Sequence, residues 1–353
     1  MQDDRLTTVL RISFCLLIAA AGGVAADFGG LPLPYMLGAI GATMAAAMWG
    51  LPITRPTRGL VAPMRIVLGV LLGSTVTPAL FANVGALAGT MVFVPVFIAL
   101  VSALGMVYYR RVAGFTREEA FFSALPGGLY VMTTYAEEAG VDIRRIALAH
   151  ALRITAVVLV VPFIVGFFAD MGTVTGAQVA GSITALPVRE MLLLTAAGAV
   201  GWFAAALLRF PGAQLVGPMV ASAVIHATGL SAAKPPQELI VAAQLVLGAY
   251  IGARYVGERL ATVRDAVVHA MGHVSLMLAV SALIALVLNW QFDLPVITGF
   301  LSFAPGGMSE IGLIALALGL DVGFIATIHV TRALTIASVA PLVYNRVKRL
   351  LHR

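Results

Sequence analysis

The chain has 353 residues, 60% of them hydrophobic and only 11% charged, with a formal net charge of +6. Soluble domains carry about a quarter charged residues, so this composition excludes an ordinary water-facing surface, and a mean hydropathy of +1.00 agrees. The positive balance lies in short loops between apolar segments, where it sets membrane orientation and does not form a nucleic-acid surface.

Apolar runs of the length needed to cross about 30 Å of hydrocarbon recur from end to end. Ile12–Ala26 opens the series. It holds the single cysteine, Cys15, which reads as a small buried hydrophobe, because one cysteine allows no disulfide or Cys-based metal site within the chain. Asp3 and Asp4 weaken the basic start of a signal peptide, so this run reads as a retained first helix. Met91–Tyr109, Ile146–Ala169, Met191–Leu208 and Val267–Leu288 follow. Lipid cannot satisfy open backbone groups, so spans are helices or a closed barrel. Continuous apolar runs without strict alternation favour helices.

Residues 121–162 align without a gap on residues 300–341, at an offset of 179. The identities include Ser123/Ser302, Pro126-Gly127-Gly128/Pro305-Gly306-Gly307, Asp142/Asp321, His150/His329, Arg153/Arg332 and Pro162/Pro341. Upstream, the same offset pairs Pro32 with Pro211, Gly38 with Gly217, Gly50 with Gly229, Gly69 with Gly248 and Gly73 with Gly252. One register held this far marks a duplication. The first membrane repeat is residues 1–175 and the second is residues 176–353.

Each half has six hydrophobic segments, one with Pro-Gly-Gly at its middle. If that segment is re-entrant, each half crosses five times. Then Arg5/Arg11, Arg55/Arg58/Arg65, Arg110/Arg111/Arg117, Arg144/Arg145, Arg209, Arg254/Arg259/Arg264 and Arg346/Lys348/Arg349/Arg353 all fall inside. Asp170–Pro187 and Asn289–Pro295 fall outside, with Lys234 and Arg189 as exceptions. Six crossings would move several arginine clusters outside, against the positive-inside rule. An odd number of crossings inverts the second copy. The expected fold is therefore an all-α polytopic membrane protein of two inverted five-helix repeats. Each repeat carries a re-entrant or discontinuous Pro-Gly-Gly helix, and both termini are cytoplasmic.

Proline breaks a helix, and paired glycines permit positive φ and close backbone approach. Such a break at membrane depth survives only when buried or lining a wet cavity. The helix after it presents free N–H groups, a ready anion site. Ser123, Pro126, Gly127, Gly128, Ser302, Pro305, Gly306, Gly307 and Ser309 are therefore candidate solute contacts. Tyr130, Thr133 and Thr134 are further hydroxyl donors. Glu310 lies three residues past the second break, where the first copy has Val131. A buried carboxylate costs about 2.5–3.5 kcal/mol on insertion scales and is a functional candidate by default.

His150 and Arg153 share a helix face, as do His329 and Arg332. An arginine ten residues into a helix lies roughly 15 Å deep. Its partner there could be an anionic substrate, Glu310, or the open carbonyls of a broken helix. The histidines could relay protons or sit hydrogen-bonded in the core. His269 and His273, four apart at an expected cytoplasmic interface, lack a nearby carboxylate besides Asp265. Asp142 and Asp321 read as helix N-caps. Gly69–Gly73 and Gly248–Gly252 read as close helix packing, with a homodimer contact as the weaker alternative.

The two Pro-Gly-Gly segments are each followed by Gly-[VL]-Asp-[IV]-x-x-Ile-Ala-x-x-His-x-x-Arg. On these motifs the chain resembles the AbrB duplication family of bacterial membrane proteins, from about residue 12 to 345. That family typically shows Pro-Gly-Gly-x-x-Glu in each half, and Val131 departs from it in the first. Its members carry labels such as ammonia monooxygenase or transcriptional regulator. A monooxygenase would need a His/carboxylate metal cluster, and none has the spacing. The expected function is non-enzymatic: a secondary transporter or exporter of a small anionic solute in the bacterial inner membrane. The alternatives are a metal-dependent membrane oxidase and a membrane protein that regulates gene expression indirectly. The expected partners are the bilayer, the solute and a coupling proton or sodium ion. No cofactor, metal or nucleic acid is expected, and no Walker A motif for ATP-driven pumping occurs.

Overall fold

The computed structural model describes residues 2–76, 84–168, 181–258 and 260–351. Side chains of residues 1–5, 84, 130, 260 and 345–351 lie outside the description, as do residues 170–180 of the expected outer loop, Arg259 and Arg353. The candidate hydroxyl of Tyr130 and the basic side chains of the tail are therefore not placed.

Among the described residues the chain forms fourteen α-helices. These are α1 (Gln2–Phe28), α2 (Pro34–Met48), α3 (Arg58–Gly73), α4 (Val84–Arg111), α5 (Arg117–Ala124), α6 (Leu129–Glu138) and α7 (Ile143–Phe168). They continue as α8 (Val188–Leu207), α9 (Ala213–Ala227), α10 (Gln237–Gly252), α11 (Leu260–Phe292), α12 (Val296–Phe303), α13 (Met308–Ala317) and α14 (Val322–Leu351). Six of them, α1, α4, α7, α8, α11 and α14, are long and apolar enough to cross a membrane. The chain is an all-α polytopic membrane protein. The bounds of α2, α3, α5 and α6 recur in α9, α10, α12 and α13 at an offset of 179.

Two compact units result, and each draws on both halves of the sequence. One comprises Met1–Leu80, Val158–Val263 and Gly312–Gly323, and the other Phe81–Val157, Arg264–Ile311 and Phe324–Arg353. The repeat boundary in sequence is thus not a boundary between compact bodies.

In the first unit, glycines let helices touch backbone to backbone. Gly22 of α1 meets the carbonyl of Gly38 on α2, and Gly201 of α8 meets that of Gly217 on α9. Gly69 and Gly73 of α3 face Leu215, Pro218, Met219 and Ser222 of α9. Gly248 and Gly252 of α10 face Met36, Ala39, Ile40 and Thr43 of α2. The expected Gly-x-x-x-Gly packing is thus seen within one chain. Ser222 Oγ donates to the Val70 carbonyl at 2.7 Å and fastens one of these crossings.

A Cβ at Gly73 would run into the Met219 carbonyl, which cannot yield. Gly73→Leu is expected to destabilise by about 3 kcal/mol, the upper end of overpacking costs. Gly41 of α2 has open space where its Cβ would be, so Gly41→Ala is expected to be neutral or to gain up to about 1 kcal/mol. Thermal unfolding in detergent compares the two.

Candidate functional site: two interrupted helices

The second unit holds both Pro-Gly-Gly segments. Thr116 opens α5 with a capping box: it accepts from the Glu119 N–H, and Glu119 accepts from the Thr116 N–H. The helix stops at Ala124 because Pro126 forces the residue before it out of the helical region, and Leu125 has φ −63° and ψ 131°. Ala304, before Pro305, repeats this with φ −54° and ψ 135°.

Both breaks expose carbonyls that have lost their helical donors, and the same residues of each copy cover them. His150 Nε2 donates to Phe122 O at 2.9 Å. Arg153 donates from Nη1 to Leu125 O at 2.9 Å and from Nη2 to Gly127 O at 2.6 Å. In the second copy His329 Nε2 donates to Leu301 O at 2.9 Å. Arg332 donates to Phe303 O at 3.2 Å, Ala304 O at 2.9 Å and Gly306 O at 3.4 Å. Three links of the first copy recur in the second at the 179 offset, and of these carbonyl links only the one from Arg332 to Phe303 O has no counterpart. All four side chains are buried. Of the partners open in the sequence, the carbonyls of the broken helices are the ones the arginines contact.

Arg332 Nη2 also donates to His329 Nδ1 at 3.1 Å, which fixes that imidazole as the Nε2–H tautomer. The first copy lacks this link. There His150 Nδ1, Arg153 Nε and Ser123 Oγ are buried with no hydrogen-bond partner among the described residues.

Gly127, Gly306 and Gly307 serve close packing, not positive φ, whereas Gly128 has open space where its Cβ would be. None of Gly127, Gly128, Gly306 and Gly307 has a left-handed backbone. A Cβ on Gly127 would lie 3.1 Å from Ile336 Cγ2, and one on Gly306 would lie 3.1 Å from Val157 Cγ1. Val157 and Ile336 are themselves corresponding residues, so the contact is reciprocal. At Gly307 the space of a side chain is occupied by the Glu310 carboxylate. Glu310 is buried and sits in the first turn of α13, where the helix dipole favours negative charge. Among the described residues no ion pair joins it to Arg153 or Arg332.

Other candidates divide. Ser302 Oγ donates back to Thr298 O at 2.8 Å, and Thr133 Oγ1 to Leu129 O at 2.9 Å, so both hydroxyls are used within their own helices. Ser309 is buried beside Glu310 in sequence. Asp142 accepts from the Arg144 N–H at 2.9 Å, as an N-cap does. His273 is fully buried, and its Nδ1 lies 3.1 Å from Tyr109 Oη. Its Nε2 points at Gly105, where a Cβ would lie 2.6 Å away. Spacing gave no sign of this pair, because its members come from α4 and α11. Among the described residues no three of His, Cys, Asp and Glu gather to hold a metal ion.

Further contacts fix the directions of the helices. At the start of α7, Arg145 lies 3.6 Å from the Glu119 carboxylate and 5.4 Å from the centroid of the Phe115 ring, both at the start of α5. On α14, the Tyr344 ring lies 4.8 Å from that of Phe122, and the Ala337 carbonyl accepts from Tyr135 Oη at 3.1 Å.

The family model described as "Transition state regulatory protein AbrB" matches residues 7–348. The chain is 26% identical to "Uncharacterized protein YhjN" of Bacillus subtilis (strain 168), over 99% of this chain and 95% of that protein. It is also 26% identical to "Putative regulator AbrB" of Escherichia coli (strain K12), over 88% of this chain and 89% of that protein. With the family model covering nearly its whole length, the chain belongs to the AbrB family.

Proposed function

We propose that this protein is a secondary transporter or exporter of a small anionic solute, built from two inverted repeats whose interrupted helices form the passage. The observation that carries the reading is the pair of breaks at Pro126-Gly127-Gly128 and Pro305-Gly306-Gly307, each tied across its carbonyls by a buried arginine, with Gly128 exposed and Gly306 and Gly307 half-buried. Interrupted helices at membrane depth are the substrate-binding device of many secondary transporters.

The directions of the helices support inversion. From Glu119 to Phe122 to Leu125, α5 descends beside Arg145, His150 and Arg153 of α7. Four residues join α6 to α7, so α6 returns to the end from which α5 started, as a re-entrant hairpin does. Along the same α5 path, contacts on α14 run backwards, from Tyr344 beside Phe122 to Ile336 beside Gly127. The helices α7 and α14, equivalent in the two copies, therefore run in opposite senses. Inversion with cytoplasmic termini also keeps most arginine-bearing loops inside.

The solute class follows from charge. The breaks hold two buried guanidinium groups and one buried carboxylate, and the N-terminus of α6 has no side-chain cap. This favours an anion. The name of the E. coli relative supports a second reading, in which solute movement alters gene expression indirectly. The test is uptake into proteoliposomes, against a panel of carboxylates and amino acids, under imposed proton and sodium gradients. Saturable uptake absent from protein-free liposomes is the expected result, and no uptake of any tested solute in either direction would count against transport.

A further inference from the structure

Among the described residues of the first unit, three arginines gather around one tyrosine. Tyr250, in the last turn of α10, has Arg55 Cζ 4.6 Å, Arg254 Cζ 5.3 Å and Arg65 Cζ 5.8 Å from its ring centroid. Arg55 comes from the segment before α3, Arg65 from the second turn of α3 and Arg254 from just beyond α10. Arg55 is exposed, while Arg65, Arg254 and Tyr250 are half-buried. Arg65 Nη1 donates to Gln214 Oε1 at 3.3 Å, which fixes one of the forks. Glu258 lies one turn beyond Arg254, and even counted against the arginines it leaves the group net positive.

Helix packing does not require this cluster. The corresponding positions in the other copy are Lys234, Gln244, Leu71 and Thr75. They lack the ring and all three guanidinium groups, yet the glycine contacts of α2 with α10 match those of α3 with α9. Three like charges on one ring repel one another, and the attraction of the ring face offsets only part of that repulsion. An anion between them would offset the rest.

We propose that Arg55, Arg65 and Arg254, ordered by Tyr250, bind a phosphate group, carried by an anionic lipid headgroup or free in solution. Guanidinium forks match phosphate oxygens two bonds at a time, and stacking on an aromatic face holds the forks in place. A basic cluster at the ends of apolar helices is also the setting in which acidic lipid headgroups are held. The site is independent of the transport reading.

The full-length purified protein in neutral detergent tests it, with native mass spectrometry of bound phosphatidylglycerol or phosphatidylethanolamine and thermal unfolding with added inorganic phosphate. The expected result is that Arg65→Gln/Arg254→Gln loses about tenfold or more in affinity for phosphatidylglycerol, from the loss of two arginine contacts. Arg264→Gln, whose arginine is exposed and paired with Asp265, should bind like the wild type. If the phosphate comes from solution, inorganic phosphate stabilises the wild type but not the double variant, and the lipid is not selected. A folded double variant that matches the wild type towards both probes would overturn the proposal. Should that variant not fold, Arg65→Lys/Arg254→Lys keeps the charge but loses the forks. It should bind more weakly than the wild type, and equal binding would overturn the proposal as well.

Discussion

Arg332→Ala is expected to destabilise the protein by about 3 kcal/mol or more, the largest loss from any single truncation at the two breaks. Its guanidinium serves three carbonyls and the Nδ1 of His329. Each buried acceptor left without a donor costs about 1–3 kcal/mol, and lipid offers no replacement. Arg153 serves two carbonyls, so Arg153→Ala should fall in the same direction by a smaller amount. Lysine brings a point charge and no planar fork, so Arg332→Lys should recover part of the loss. Thermal unfolding in detergent, with the fraction recovered as folded protein, measures all three. A wild-type midpoint for Arg332→Ala would show that the ties are not what holds the break.

On the proposed transport function, Glu310→Gln is expected to lower transport at least about tenfold while changing stability by less than about 1 kcal/mol. The amide keeps the size of the side chain but cannot exchange a proton or hold a cation. Glu310 is buried and is not engaged by Arg153 or Arg332, so its charge is not consumed by the scaffold. It also has no counterpart, because the first copy has Val131 at that position. The two breaks therefore differ chemically although their carbonyl ties agree. If Glu310→Gln transports like the wild type and loses only a few tenths of a kcal/mol, the carboxylate serves the dipole of α13 and nothing more.

The helices and their repetition were legible in the sequence because lipid imposes length and apolarity on each span, and because one offset survives in the glycines and prolines. The close contacts at Gly69, Gly73, Gly248 and Gly252 could be read for the same reason, since small residues at helical spacing have few other uses. The roles of the arginines were not settled by sequence. A buried arginine looks alike whether it faces a solute or a carbonyl, and the difference lies in residues 26 to 29 positions away along the chain. Of the two uses the sequence allows for the glycines of the breaks, positive φ and close approach, the structure shows the second, at Gly127, Gly306 and Gly307, which make room beside Ile336, Val157 and Glu310. His273 with Tyr109 was hidden because its contact depends on how α4 crosses α11, which no local pattern encodes.

The measurement that most directly tests the inverted arrangement is thiol labelling at two equivalent, exposed helix starts, Asp142 and Asp321. Single cysteines replace them in a Cys15→Ala background, in sealed vesicles of known orientation, with a membrane-impermeant reagent. With both termini cytoplasmic, position 142 should label only from the cytoplasmic side and position 321 only from the opposite side. Labelling of both from one side would contradict the account.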